Sequence, residues 1–168
     1  AHGIRDIEDL DFSGKTKQEL EGILLDKDII FVNGGNTFCL LHYIRKSGFD
    51  RMVYDLLDSG TLYVGVSAGS YVACPTIEAA TWKHQDKNKI GLQDIKGLDL
   101  VPFLITAHFE ESYRPVMEKV AGTAKYPIVA LYDTQAVAVE GNTYRVVGSG
   151  RKEFFNNLRS FMRIPGYK

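Results

Sequence analysis

The sequence predicts an α/β protein, a doubly wound, mostly parallel sheet with helices on both faces and an antiparallel hairpin at its C-terminal edge. Short apolar runs at residues 28–33, 62–66, 101–107 and 127–131 alternate with segments of helical spacing. Runs rich in β-branched residues and bounded by glycine or polar residues suit strands covered by helices. Near the end, residues 136–139 and 144–147 flank Glu140-Gly-Asn142, which has hairpin turn chemistry.

An acidic, polar segment at 6–14 precedes a helical pattern at 15–25. The run 28–33 ends in Gly34-Gly35 and is expected to be a strand buried on both faces. Asn36-Thr37 offers an N-cap for a helix over 38–46, in which Leu40, Leu41 and Ile44 share one stripe. A second helix over 51–59 stops at Gly60. The strand 62–66 leads into a helix of small residues that runs to Cys74-Pro75. Residues 83–89 are charged and aperiodic, so a surface loop is expected there. His108 follows the apolar run 101–107, helical spacing returns over 113–120, and the strand 127–131 ends at Tyr132-Asp133. In 151–168, Phe154, Phe155, Leu158, Phe161 and Met162 stand at helical spacing and predict a final helix on the sheet. No repeat, linker or low-complexity stretch divides the chain, so residues 1–168 are expected to form one domain.

Composition narrows the function classes. The 168 residues carry a net charge of −1, which gives no electrostatic case for nucleic-acid binding. No apolar run approaches the about 20 residues of a membrane span, and the first residues lack a signal-peptide pattern. Cys39 and Cys74 lie in apolar, helix-like stretches and read as buried free thiols, which suits a reducing, cytoplasmic setting. No His, Cys or Asp cluster has metal-ligand spacing, and Gly34-Gly35 lacks the third glycine of a dinucleotide loop. Neither metal nor cofactor is expected.

The chemistry centres on Gly65-Val-Ser-Ala-Gly69. A strand that turns sharply into a helix lifts the Ser67 hydroxyl clear of the sheet, and glycines on either side leave room for the turn. In open α/β sheets ligands bind beyond the carboxyl ends of the strands. Gly34-Gly35, Ser67, His108 and Asp133 each fall just past the end of a different predicted strand, so one rim receives a glycine loop, a hydroxyl, an imidazole and a carboxylate. Serine needs a base, and among the four histidines only His108 ends a strand on this rim. Asp133 is placed to orient it, with Asp86 as a rival from the charged loop. The backbone N–H groups of Gly35 and Ala68 are candidates for an oxyanion hole. The order Ser, His, Asp is not that of an α/β-hydrolase.

Residues 31–38, 63–69 and 73–77, then Gly97-Leu-Asp-Leu-Val-Pro-Phe103 and His108-Phe109, together resemble the dipeptidase E (aspartyl dipeptidase) family of serine peptidases, to which cyanophycinase is related. The resemblance spans about residues 27–148. It implies a class I glutamine amidotransferase-like fold with serine in place of cysteine, Ser67 as nucleophile, His108 as base, Gly35 and Ala68 as oxyanion donors, and an acidic third member at Asp133. The implied substrate is a small peptide, with N-terminal aspartate as one class. Asn36 and Arg114 are candidate substrate contacts, Arg114 being the arginine that follows His108 in a shorter segment than the family carries. The family's opening strand–helix–strand unit has no full counterpart here. Pairing lost with it is expected to be recovered from another copy of the chain, a homo-oligomer, or avoided by a shortened and capped sheet. A serine peptidase is the leading expectation, and a non-catalytic member that binds a small ligand or partner on the same rim is the alternative.

Overall fold

The computed structural model describes residues 3, 4, 6–83 and 86–156. In order these form α1 (Lys17–Leu24), β1 (Ile29–Val32), α2 (Thr37–Ser47), α3 (Phe49–Asp58), β2 (Leu62–Gly65), α4 (Ala68–Val72), β3 (Leu104–Thr106), α5 (Arg114–Ala121), β4 (Ile128–Ala130), β5 (Gln135–Glu140), β6 (Thr143–Gly148) and β7 (Glu153–Phe155).

Local chemistry places the helix ends. Thr16 and Glu19 form a reciprocal capping box on α1, in which each side chain accepts the other's backbone N–H. Asn36 caps α2 by accepting the Cys39 N–H at 3.1 Å. At φ +81° Gly48 ends α2 in the left-handed region and lets α3 begin at once, so the two helices pack as a hairpin.

Three separate sheets make up the described strand structure. β1 and β2 run parallel, β3 and β4 run parallel with β7 added antiparallel to β4, and β5–β6 form a hairpin paired only with itself. The α/β class stands, but the antiparallel neighbour of the second sheet is β7 rather than the hairpin. Part of the expected C-terminal helix is therefore a strand. Phe154 and Phe155 follow a strand because Val129 and Ile128 lie opposite them in register, and residues 157–168 lie outside the described residues.

Two cores result. One joins Leu20, Leu41, Ile44, Phe49, Met52 and Leu56 from the first three helices to Ile30 and Val32 of β1. The other joins Phe103, Leu104, Ile105, Ile128, Val129 and Tyr144. All residues of β3 and β4 are buried. β1 alternates, with Ile29 42% and Phe31 60% exposed, and Leu62 beside Ile29 is 54% exposed. The expectation of a strand buried on both faces is thus corrected: helices cover one face of β1–β2 among the described residues.

Candidate active site

Ser67 sits between β2 and α4 with φ +53°, a left-handed value uncommon for a residue with a side chain and a store of local strain. The surrounding packing over-determines it. A Cβ on Gly65 would lie 2.5 Å from the Gly69 carbonyl oxygen, and one on Gly69 would overlap the Val32 carbonyl oxygen. Both positions therefore exclude side chains, because α4 approaches β2 at Gly65 and β1 at Gly69 backbone to backbone. Tyr63 Oη donates to the Gly69 carbonyl at 2.7 Å and Ser70 Oγ to the Gly65 carbonyl at 2.7 Å, tying strand to helix across the turn.

Three loops meet at Ser67. His108 Nε2 lies 3.1 Å from Ser67 Oγ, and His108 Nδ1 lies 2.7 Å from Asp133 Oδ1. If Nδ1 carries the proton, it donates to the carboxylate and leaves the Nε2 lone pair to accept the serine O–H. The imidazole is 46% and the carboxylate 77% exposed, so this line of groups faces solvent. Asp86 points elsewhere, accepting from the N–H and the hydroxyl of Thr37 at the start of α2.

Gly34 lies beside the serine. A Cβ on Gly34 would come within 3.4 Å of Ser67 Cβ, whereas Gly35, at φ +135°, faces open space. Ala68, the first residue of α4, is buried directly behind Ser67. Gly34, two residues past the end of β1, and Ala68, at the start of α4, thus adjoin Ser67, and Gly35 follows in the same loop.

The two candidate substrate contacts have structural partners. Besides capping α2, Asn36 donates from Nδ2 to the Lys87 carbonyl at 3.1 Å, which holds the charged loop against the helix. Arg114 pairs with Glu111 through Nε at 2.8 Å and with Glu153 through Nη2 at 2.9 Å, and its guanidinium lies over the rings of Phe109 and Phe155. With Arg114 and the Tyr132 hydroxyl both donating to it, Glu111 is held down to a pKa of about 2. A cavity of about 390 Å³ opens on the Asp133 side, lined in part by His108, Phe109, Tyr132, Asp133 and Arg151.

Lys83 departs furthest from expectation. It was expected on a surface loop, yet it is 7% exposed, with Nζ donating to the carbonyls of Ala107 and, at 3.2 Å, His108. A lone lysine in a charged stretch carries no sequence signal for burial; its position beside Trp82, which packs on the core, is the only local hint. His2 and His84 lie outside the described residues. Both cysteines are free thiols; Cys74 is buried, which raises its pKa to about 12, and Cys39 is half-buried.

The family model of peptidase family S51 matches residues 1–147. The chain is 31% identical over 128 residues to the uncharacterized peptidase Lmo0363 of Listeria monocytogenes, covering 73% of this chain and 62% of that protein. It is 36% identical over 93 residues to peptidase E of a Nostoc species, covering 55% of this chain and 37% of the relative. The crystal structure of a candidate peptidase E protein from Listeria monocytogenes EGD-e superposes with a TM-score of 0.73 at 25% identity, over 85% of this chain and 70% of that one. A peptidase from an acI-B1 actinobacterium shares the fold, with a TM-score of 0.62 at 15% identity over 89% of this chain and 62% of the other. The chain therefore spans less than two thirds of the Lmo0363 length and about a third of the peptidase E relative's. With the match running through Ser67, His108 and Asp133, the chain belongs to peptidase family S51.

Proposed function

We propose that this chain carries the catalytic core of a serine peptidase that hydrolyses small peptides through an acyl-enzyme. The observation that supports it most is the unbroken line Ser67–His108–Asp133, with contacts of 3.1 and 2.7 Å between residues from three separate loops. In the proposed reaction Ser67 Oγ attacks the peptide carbonyl while His108 Nε2 takes its proton. Asp133 holds the ring and balances the charge of the imidazolium. The oxyanion accepts from the backbone N–H groups of Gly35 and Ala68. On collapse the C–N bond breaks, the leaving amine takes the proton from His108, and an ester to Ser67 remains. Water, deprotonated by the same ring, then cleaves the ester, releasing the acid and restoring the serine O–H.

The same proposal covers the finer fold, a class I glutamine amidotransferase-like arrangement, which the parallel pairs β1–β2 and β3–β4 and the strand-to-helix turn at Ser67 support. The buried free thiol of Cys74 fits a cytoplasmic setting, and among the described residues no helix is long and apolar enough to cross a membrane. With Arg114 engaged by two carboxylates, discrimination for an N-terminal aspartate is not assigned to it.

The test is a panel of dipeptides and tripeptides, with and without an N-terminal aspartate, assayed by release of free amine. Cleavage by the parent protein, absent in Ser67→Ala, supports the proposal. No cleavage of any member, with binding still detected by calorimetry, would replace it with the non-catalytic ligand-binding alternative.

A further inference from the structure

We propose that Lys83 is a positioning residue for His108, fixing the backbone distortion that aims the imidazole at Ser67. This rests on the proposed role of His108 as base. Its own foundation is the hydrogen-bond pattern at the end of β3. In the parallel register, Leu104 pairs with Ile128, Ile105 with Val129 and Thr106 with Ala130. The Leu131 N–H bonds the Thr106 carbonyl at 2.9 Å, which continues that register. The next bond of a regular parallel ladder would run from the His108 N–H to the Leu131 carbonyl. Instead the Phe109 N–H makes it, at 2.8 Å. One extra residue has been inserted, and it is His108, with φ +55°. This is a bulge in a parallel pair, a device that re-aims one side chain. Its cost is a left-handed backbone at a non-glycine residue and a carbonyl turned out of the ladder.

Lys83 answers both demands. Its ammonium bridges the Ala107 and His108 carbonyls, the two that flank the distorted bond. Its burial is nearly complete, and the Tyr113 ring lies 5.2 Å from the nitrogen. Burying an ammonium is unfavourable unless its protons are accepted, so a lysine here marks a place where carbonyls need a charged donor. Desolvation lowers its pKa to about 8, against the pull of Asp133 and Glu110, so it is mostly protonated at neutral pH. Both of its hydrogen bonds go to backbone carbonyls. Lys83 acts through the backbone of His108.

The experiment compares the protein with Lys83→Met, which keeps the length and removes the donors, and Lys83→Arg, which keeps charge and donors. Two readouts are taken. One is the rate of labelling by a fluorophosphonate probe, with Ser67→Ala as the blank. The other is the downfield proton NMR signal of a ring N–H bonded to a carboxylate, assigned by its loss in His108→Gln. Circular dichroism checks folding. The expected result is labelling slowed at least tenfold in Lys83→Met, with the ring signal lost, and both substantially recovered in Lys83→Arg. A folded Lys83→Met that labels within twofold of the parent and keeps the signal overturns the proposal. If Lys83→Met does not fold, Lys83→Gln replaces it and is judged by the same two readouts. If the parent protein does not label, the peptidase proposal falls, and the ring signal alone decides the role of Lys83.

Discussion

Ser67 and His108, the proposed nucleophile and base, stand on two sheets built in opposite ways. The β1–β2 pair that carries Ser67 is covered by helices on one face, leaving Phe31 and Leu62 more than half exposed. The β3–β4 pair that carries His108 and Asp133 is buried throughout. Rigidity has a different source at each end of the line. Around Ser67 it comes from backbone proximity, with Gly65 and Gly69 allowing strand and helix to touch and Tyr63 and Ser70 tying them together. Around His108 it comes from side-chain packing, which supports a bulge that would be costly in an open sheet. Packing also makes the buried Lys83 ammonium informative, because the carbonyls of Ala107 and His108 accept its protons.

The largest expected effect separates the chemistry from both sheets. Asp133→Asn should keep the fold yet lower kcat by about a thousandfold or more, since the amide favours the wrong tautomer of His108. Steady-state kinetics on whichever peptide the panel identifies measure this, and a loss below tenfold would detach Asp133 from the mechanism.

The sheets themselves are compared next. Leu104→Ala, at a fully buried site, should lose about 2–5 kcal/mol of stability in urea titration. Phe31→Ser, on the open face, should stay within about 0.5 kcal/mol. If Phe31→Ser proves as costly as Leu104→Ala, that face is covered in solution and the contrast collapses.

The smallest effect concerns Glu111, beside Arg114 at the rim. Its folded pKa of about 2 lies below the ordinary 4.5, so its contribution is complete above about pH 4.5 and is lost as pH falls through about 2. Glu111→Gln should therefore lose less stability between pH 5 and pH 2 than the parent, as urea midpoints at roughly these pH values would report. The side chain is exposed, so added salt should shrink the difference.

Much of this was legible in the sequence because the signals are local. Capping residues and glycines marked α2 and α3, and apolar runs located β2, β3 and β4 within a few residues. The meeting of Ser67, His108 and Asp133 at one rim followed from strand ends alone. What was not legible depends on distant partners. The run 28–33 is apolar whether or not a second layer covers it, so periodicity could not reveal the open face carrying Phe31. Phe154 and Phe155 fit a helical stripe equally well until β4 is present to pair with them. Lys83 looked solvated because nothing nearby in sequence says that the Ala107 and His108 carbonyls will turn toward it.

The central claim is that Ser67 is an activated nucleophile served by His108. It is tested most directly by treating the protein with a fluorophosphonate and locating the adduct by peptide mass spectrometry, alongside His108→Ala. One adduct per chain is expected, on Ser67, formed at least a hundredfold more slowly in His108→Ala. An unlabelled protein, an adduct on another residue, or equal rates in the two proteins would contradict it.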